Sequence, residues 1–418
     1  MESERRTARW IGPGLIMAAS GIGASDIIAS TVAGAGHGLA LLWTVAVGAF
    51  LKFVLSEGLA RWQLATGATA LEGWAQHLPR WVLVLFAGYL GLWAVAVSGA
   101  LTSGCGLAIE NLTGGAIPRS WGALAHGALA FAAIFTSRAG GIARVMKPLI
   151  VLMFVSIVVC AALTFREPLG ALRGLLIPRI PTGGGASVLS LIGGIGGSLT
   201  LLSYGYLMRE ENAGAPSLRT VRLDLGAAYA FTAICGLSVM LIAHRVFHVA
   251  GISITDREAV SRMAAELGGV AGPAGFYIYS IGFWAAVTAS LFGVWQTVPS
   301  ICADCLGLLR RLTPDRRAAA MKADGWPYRG SLIFMAAVSV PFAFLGKPLL
   351  VIVAFTIFGS LLTPFFAATL LYLNNRVPWS APIPHNSAVT NVVLILVLIL
   401  FLLVAGSEIV ALLPARGQ

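Results

Sequence analysis

Residues 10–38 (WIGPGLIMAASGIGASDIIASTVAGAGHG) form an apolar stretch of bilayer length with one carboxylate, Asp26, at its middle. A carboxylate at the centre of a bilayer costs about 2.5–3.5 kcal/mol on insertion scales, so it normally faces a cavity or a partner. The residues just before it, Gly21-Ile22-Gly23-Ala24-Ser25, combine poor helix propensity with little side-chain bulk. A span interrupted there can unwind and free backbone carbonyls. Non-helical backbone at membrane depth is tolerated only where it lines protein or water. A carboxylate beside loose carbonyls at mid-membrane is the pattern of a cation site in a transporter with broken helices.

The rest of the chain agrees with a membrane setting. Of its 418 residues, 58% are hydrophobic and 11% are charged, where soluble domains carry about 25% charge. The expected fold is all-α and integral to the membrane, with about 11 transmembrane helices. Their approximate spans are 10–35, 40–63, 81–109, 121–137, 145–165, 188–207, 223–248, 273–309, 330–346, 348–374 and 388–413. The 49 glycines suit close helix packing in lipid. The first hydrophobic segment continues as a full span without a small-residue cleavage site, so no signal peptide is expected. All five cysteines (Cys105, Cys160, Cys235, Cys302, Cys305) fall in apolar spans, which argues against a disulfide framework.

The net charge of +11 is arranged by side rather than gathered into a nucleic-acid-binding patch. With the N-terminus in the cytoplasm, 18 basic residues fall on the cytoplasmic side and 9 on the outer side. The positive-inside rule then gives a multi-pass protein of the inner (plasma) membrane with a cytoplasmic N-terminus.

Span 6 resembles span 1 in design. Residues 187–209 (SVLSLIGGIGGSLTLLSYGYLMR) hold Gly193, Gly194, Gly196 and Gly197, followed by Ser198, Thr200, Ser203 and Tyr204. Two Gly-broken spans, five apart and opposite in topological sense, point to an inverted repeat with the site between its halves. The repeats would cover about 10–165 and 187–374, within a single transporter domain, with 388–413 an added helix. Residues 166–185 would be the extracellular link.

Three stretches then resemble the natural-resistance-associated macrophage protein family of divalent metal transporters, and residues 196–211 (GGSLTLLSYGYLMREE) look like its NRAMP-related magnesium transporter branch. Residues 12–43 (GPGLIMAASGIGASDIIASTVAGAGHGLALLW) are similar to the family's first span and the opening of its second. Residues 60–67 (ARWQLATG) resemble the end of the second span, and residues 361–375 (LLTPFFAATLLYLNN) the tenth. The resemblance implies a LeuT-type 5+5 inverted repeat with broken helices 1 and 6. The family's Asp-Pro-Gly-Asn metal motif falls on Gly23-Ala24-Ser25-Asp26, so the usual aspartate position is Gly23 and Asp26 stands where asparagine is expected. The span 6 Met-Pro-His-Asn falls on Thr200-Leu201-Leu202-Ser203, which puts Thr200 in the place of the metal-binding methionine. A span 10 glutamine aligns with Thr356. The carbonyls near Ser20 and of Gly197 match family ligand positions. The acids that the family ties to proton flow align with Ser98 and Leu101, and its histidine with Leu207. The resemblance thus implies a metal site of Asp26, Ser20, Gly23, Ser25, Gly197, Thr200, Ser203 and Thr356.

The chemistry of these residue types points the same way. Thioether sulfur favours softer transition metals, whereas hydroxyl, carbonyl and water oxygens suit magnesium. Magnesium dehydrates reluctantly and is held by one or two carboxylates with several waters. No basic residue lies in spans 1 or 6 at the depth of Asp26. The expected function is transport of a divalent ion, magnesium before manganese, by alternating access without proton coupling. Rivals are a proton-coupled transition-metal importer using Glu57 or Asp304, and an organic-cation or amino-acid carrier on the same repeat. No catalytic constellation and no Walker loop occur, so neither an enzyme nor an ATP-driven pump is expected, and no cofactor. The partners are the metal-ion substrate and the lipid bilayer, with no obligate protein partner and no nucleic acid.

Other polar groups read as structural. Glu57 has Arg61 one turn later, an i,i+4 pair. Glu210 and Glu211 sit at a solvated helix end. Cys302-Ala303-Asp304-Cys305 has the look of a metal motif but lies in an apolar helix where cysteine packs as a small hydrophobe. Gln296 and Asp304 could form a polar seam. His244 and His248 are an i,i+4 pair able to hold zinc, but lie at the outer interface as headgroup-level residues.

Overall fold

A computed structural model describes residues 12–137, 141–197, 199–210, 216–252 and 259–412. Among the described residues all regular structure is helical.

Span 1 is two helices. Pro13 opens α1 (Pro13–Gly21), where its missing N–H and fixed φ suit a first turn. The chain then leaves helical geometry at Ile22 (φ −79°, ψ 86°) and Gly23 (φ −128°, ψ −152°) before α2 (Ala24–His37). Span 6 breaks likewise between α9 (Gly185–Gly194) and α10 (Thr200–Glu210). Its break holds two successive left-handed residues, Gly196 (φ +74°) and Gly197 (φ +72°), a backbone path that residues with a Cβ rarely take. The two breaks touch. A Cβ on Gly21 would lie 2.4 Å from the carbonyl of Gly196, so only glycine permits this approach.

Further helices hold the pair of broken ones. They are α3 (Leu42–Thr66), α5 (Arg80–Leu112), α6 (Arg119–Thr136), α7 (Gly141–Thr164) and α11 (Leu218–Ala243), which runs on into a π-helical turn at His244–His248. After these come α12 (Ala259–Leu309), α14 (Trp326–Phe344), α15 (Pro348–Ser360), α16 (Leu362–Arg376) and α17 (Ala388–Leu412). Short helices α4 (Ala70–His77), α8 (Pro168–Leu176) and α13 (Pro314–Met321) lie in the connections. The second half of span 6 packs on the first half of span 1, and its first half on the second half of span 1, so the two spans run antiparallel.

The backbone keeps the expected start of span 8 at residue 273: Ala271 (φ −125°, ψ 17°) and Gly272 (φ +67°, ψ −164°) leave helical geometry, so α12 is two helices end to end, 259–270 and 273–309. The link at 166–185 contains α8, and the Leu39 carbonyl packs so closely on Gly174 that a Cβ there would sit 2.0 Å away. Span 10 runs through α15 and α16, and Leu361 between them stays in right-handed helical geometry (φ −62°, ψ −21°). The interior is apolar and aromatic, with Trp62, Trp74, Trp93 and Trp295 essentially inaccessible.

Candidate cation site between the broken helices

A small cavity of about 20 Å³ lies between the two breaks, space for one water-sized species. Its polar lining is Ser20, Ser25, Gly197, Thr200, Ser290 and Thr356, and Trp93 and Val97 of α5 form part of an apolar wall. These donors are oxygens of hydroxyls and backbone. Not all of them are free. The Ser20 carbonyl accepts a hydrogen bond from the Ser290 hydroxyl at 2.8 Å, while its own hydroxyl donates to the Ile16 carbonyl. Thr356 donates to Val353 and is bonded to Ser190 at 2.9 Å. The Thr200 hydroxyl is buried and has no hydrogen-bond partner. It is the lining hydroxyl best placed to take one from an incoming ion's shell.

Asp26, Gly23 and Ser203 are not on that wall. Asp26 lies one residue behind Ser25, so its side chain leaves α2 in another direction. Its Oδ2 accepts the Gly196 N–H at 2.8 Å, and its Oδ1 is buried with no hydrogen-bond partner. Ser203 donates to Thr297 at 3.1 Å, toward α12. At Gly23, which the resemblance matched to the family aspartate, the space is filled from another helix: a Cβ there would lie 2.3 Å from the Ser290 hydroxyl oxygen. Of the eight residues expected to form the site, the structure brings five to one cavity and holds the carboxylate just behind them. Ser198, Glu211 and the side chain of Glu210 lie outside the described residues.

Sequence reasoning missed Lys52. The two charge tallies cover 27 of the 28 basic residues, and Lys52 is the one assigned to neither face. It is fully buried in α3, donates to the Thr363 hydroxyl at 3.3 Å, and exerts an electrostatic attraction on Asp26. The expectation of no cation near Asp26 therefore needs correcting. It holds for spans 1 and 6, but the cation comes from span 2. The available signal was a lone charge inside the apolar run Gly48-Ala49-Phe50-Leu51-Lys52-Phe53-Val54-Leu55. A buried ammonium is as costly as a buried carboxylate unless compensated. Asp26 and Lys52 offset one another.

On the face where residue 12 enters, hydrogen bonds and ion pairs hold the first half of span 1 and the second half of span 6. Asp224 of α11 accepts the Gly12 and Gly14 N–H groups (3.2 and 2.8 Å), capping α1, and the Tyr204 hydroxyl of α10 at 3.1 Å. Glu72 takes Arg209 of α10 and Arg317 of α13, each at 2.6 Å. Burial disfavours the charge on Glu72, but hydrogen bonds from Arg209, the Thr69 N–H and Arg317 outweigh it and hold its pKa below the ordinary glutamate value. Asp304 accepts Tyr206 at 2.7 Å and Arg317 at 3.0 Å. The expected seam from Gln296 to Asp304 gives way to this cluster, and the Gln296 carbonyl instead accepts the Tyr328 hydroxyl at 3.0 Å. Glu57 does pair with Arg61, and also with Arg222 at 2.9 Å. Cys302 and Cys305 are free thiols.

Residues 14–412 match the family described as natural resistance-associated macrophage protein-like. The chain belongs to this family. The Nramp match covers both breaks and every helix around them. Among curated proteins, the divalent metal cation transporter MntH of Chromohalobacter salexigens is 28% identical over 256 residues, 58% of each chain. The chain thus spans about three-fifths of that relative's length. Among solved structures, a histidine-to-alanine mutant of the Eremococcus coleocola manganese transporter superposes with a TM-score of 0.76 at 15% identity, covering 99% of this chain and 89% of that one. MhsT in complex with L-phenylalanine gives a TM-score of 0.61 at 16% identity, over 94% and 98%. At such identities these two likenesses speak for the fold, which is that of Nramp and LeuT-type transporters.

Proposed function

We propose that this Nramp protein carries a divalent metal ion across the plasma membrane by alternating access, with magnesium preferred over manganese. The observation that carries this reading is the small cavity between the two breaks, lined by oxygen donors and by no thioether or thiol. Oxygen donors favour hard cations, and a missing sulfur removes the advantage of softer ones. Asp26 supplies negative charge from just behind the wall. Thr200 stands ready with a free hydroxyl, and Gly197 and Ser25 complete the lining. The proteins it resembles are named as divalent cation and manganese transporters. The cavity admits a water-sized species, in keeping with a small ion.

The reading also leaves out proton coupling. Glu57 and Asp304, the acids available to replace the family's proton path, are both held by arginine. Ser98 and Leu101 do not titrate at physiological pH, nor does Leu207. Inward movement of a divalent ion gains about 4.6 kcal/mol per 100 mV of inside-negative potential, enough to drive uptake unaided. With the N-terminus cytoplasmic, the ion pairs of Glu72 and Asp304 and the hydrogen bonds to Asp224 close the inner side. The test is a flux panel in proteoliposomes with magnesium, manganese, calcium and zinc. Magnesium flux exceeding manganese supports the reading, and manganese alone, or no divalent ion at all, removes it.

A further inference from the structure

The face opposite the Glu72 cluster carries a second constellation, unconnected with the cavity. His244 and His248 bracket the π-helical turn at the end of α11, with ring centroids 5.4 Å apart. Each ring has one nitrogen tied to an acceptor. His244 Nε2 lies 3.4 Å from a Glu167 carboxylate oxygen, and His248 Nδ1 lies 3.0 Å from the Ala35 carbonyl at the end of α2. An ideal Cβ on Gly38 would stand 3.1 Å from His244 Nδ1 and 2.7 and 2.8 Å from Cδ2 and Nε2 of His248, so His244 Nδ1 and that edge of the His248 ring border one gap beside Gly38. Gly38 has φ +60°, so it leaves that gap as a matter of backbone conformation. His244 Nδ1 is buried and has no hydrogen-bond partner.

We propose that His244 Nδ1 and His248 Nε2 form a binding site for a borderline transition-metal ion, with Zn²⁺ its natural probe. Histidines that ligate a metal almost always give their other ring N–H to a carboxylate or carbonyl, which fixes the tautomer. Glu167 and Ala35 are placed for that part. Both imidazoles then bind as neutral ligands, through nitrogens that prefer zinc, nickel or copper to magnesium or calcium. Among the described residues no group of three or more His, Cys, Asp or Glu side chains is arranged around a metal position, so water fills the remaining coordination. Metal on His248 Nε2 strengthens the Nδ1–H bond to Ala35. Occupancy therefore ties α11 to the outer half of span 1, and it slows transport by restraining that half.

Zinc titration by calorimetry of the full-length protein in detergent tests this. The wild-type protein binds zinc, and magnesium at equal concentration does not compete. His248→Ala and His244→Ala each weaken binding more than tenfold, while Glu167→Gln weakens it by about tenfold through the loss of orientation. Thermal melting without metal monitors folding, and His248→Gln serves where the alanine variant misfolds. Asp26→Asn keeps the zinc affinity, so the result stands apart from the fate of the transport reading. Zinc binding unchanged in both histidine variants, or lost in Asp26→Asn and retained in them, overturns the proposal.

Discussion

The carboxylate of Asp26 accepts a hydrogen bond from the backbone N–H of Gly196 at 2.8 Å, joining the break in span 1 to the break in span 6. The acid is therefore a structural tie as well as a charge, and the two parts can be separated by substitution. Asp26→Asn keeps an acceptor for Gly196 and removes the charge. Asp26→Ala removes both and leaves a buried donor unsatisfied, a loss of about 1–3 kcal/mol. Metal flux is abolished in both variants, and only the alanine form shows a marked fall in melting temperature. Flux retained in Asp26→Asn would show that the charge plays no part.

Lys52 gives the next prediction. Removing one member of a buried pair costs about 3–5 kcal/mol because the other charge is left uncompensated. In Lys52→Met the uncompensated group is Asp26, and a divalent cation in the neighbouring cavity can compensate it. Magnesium affinity rises several-fold, and magnesium stabilises the variant more than the wild type. The double variant Lys52→Met with Asp26→Asn recovers melting temperature without flux. Equal magnesium stabilisation of Lys52→Met and wild type contradicts the electrostatic link.

Placing an aspartate at Gly23 fails on steric grounds. A Cβ there would lie 2.3 Å from the Ser290 hydroxyl oxygen and 2.5 Å from the Ser290 Cβ. Gly23→Asp alone lowers stability and expression. Gly23→Asp with Ser290→Gly restores both and shifts competition toward manganese. A well-folded single variant would mean that Ser290 does not occupy that space.

Glu72 makes the face where residue 12 enters dependent on pH. Its pKa is depressed in the folded protein, so its contribution to stability is present above the ordinary glutamate value and fades as pH falls through the lowered one. Glu72→Gln removes this dependence and frees Arg209 and Arg317. It also opens the face where the buried Cys305 lies beside Asp304, so Cys305 reacts faster with a thiol reagent, by about tenfold when read by mass spectrometry. An unchanged rate would remove the cluster from the gating account.

Much of this molecule was legible in its sequence, for identifiable reasons. The breaks follow from glycines that only local backbone chemistry explains, and the span pattern follows from hydropathy. The direction of Asp26 was not legible, because it depends on the phase at which α2 restarts after Gly23, a matter of two backbone angles. Ser290 was invisible for another reason. It meets Gly23 across 267 positions of sequence, in a helix rich in small residues where one serine carries no signal. Lys52 was visible and passed over, since a charge count by side has no place for a residue in the middle.

Potential-driven uptake into proteoliposomes, with a pH-sensitive dye in the lumen, tests the central claim most directly. With a valinomycin-set potential, inside negative, magnesium enters the wild-type vesicles, the lumen does not acidify, and Asp26→Asn abolishes entry. A pH gradient alone drives little. Magnesium-dependent acidification, or entry that follows the pH gradient and not the potential, would contradict an uncoupled divalent-metal transporter.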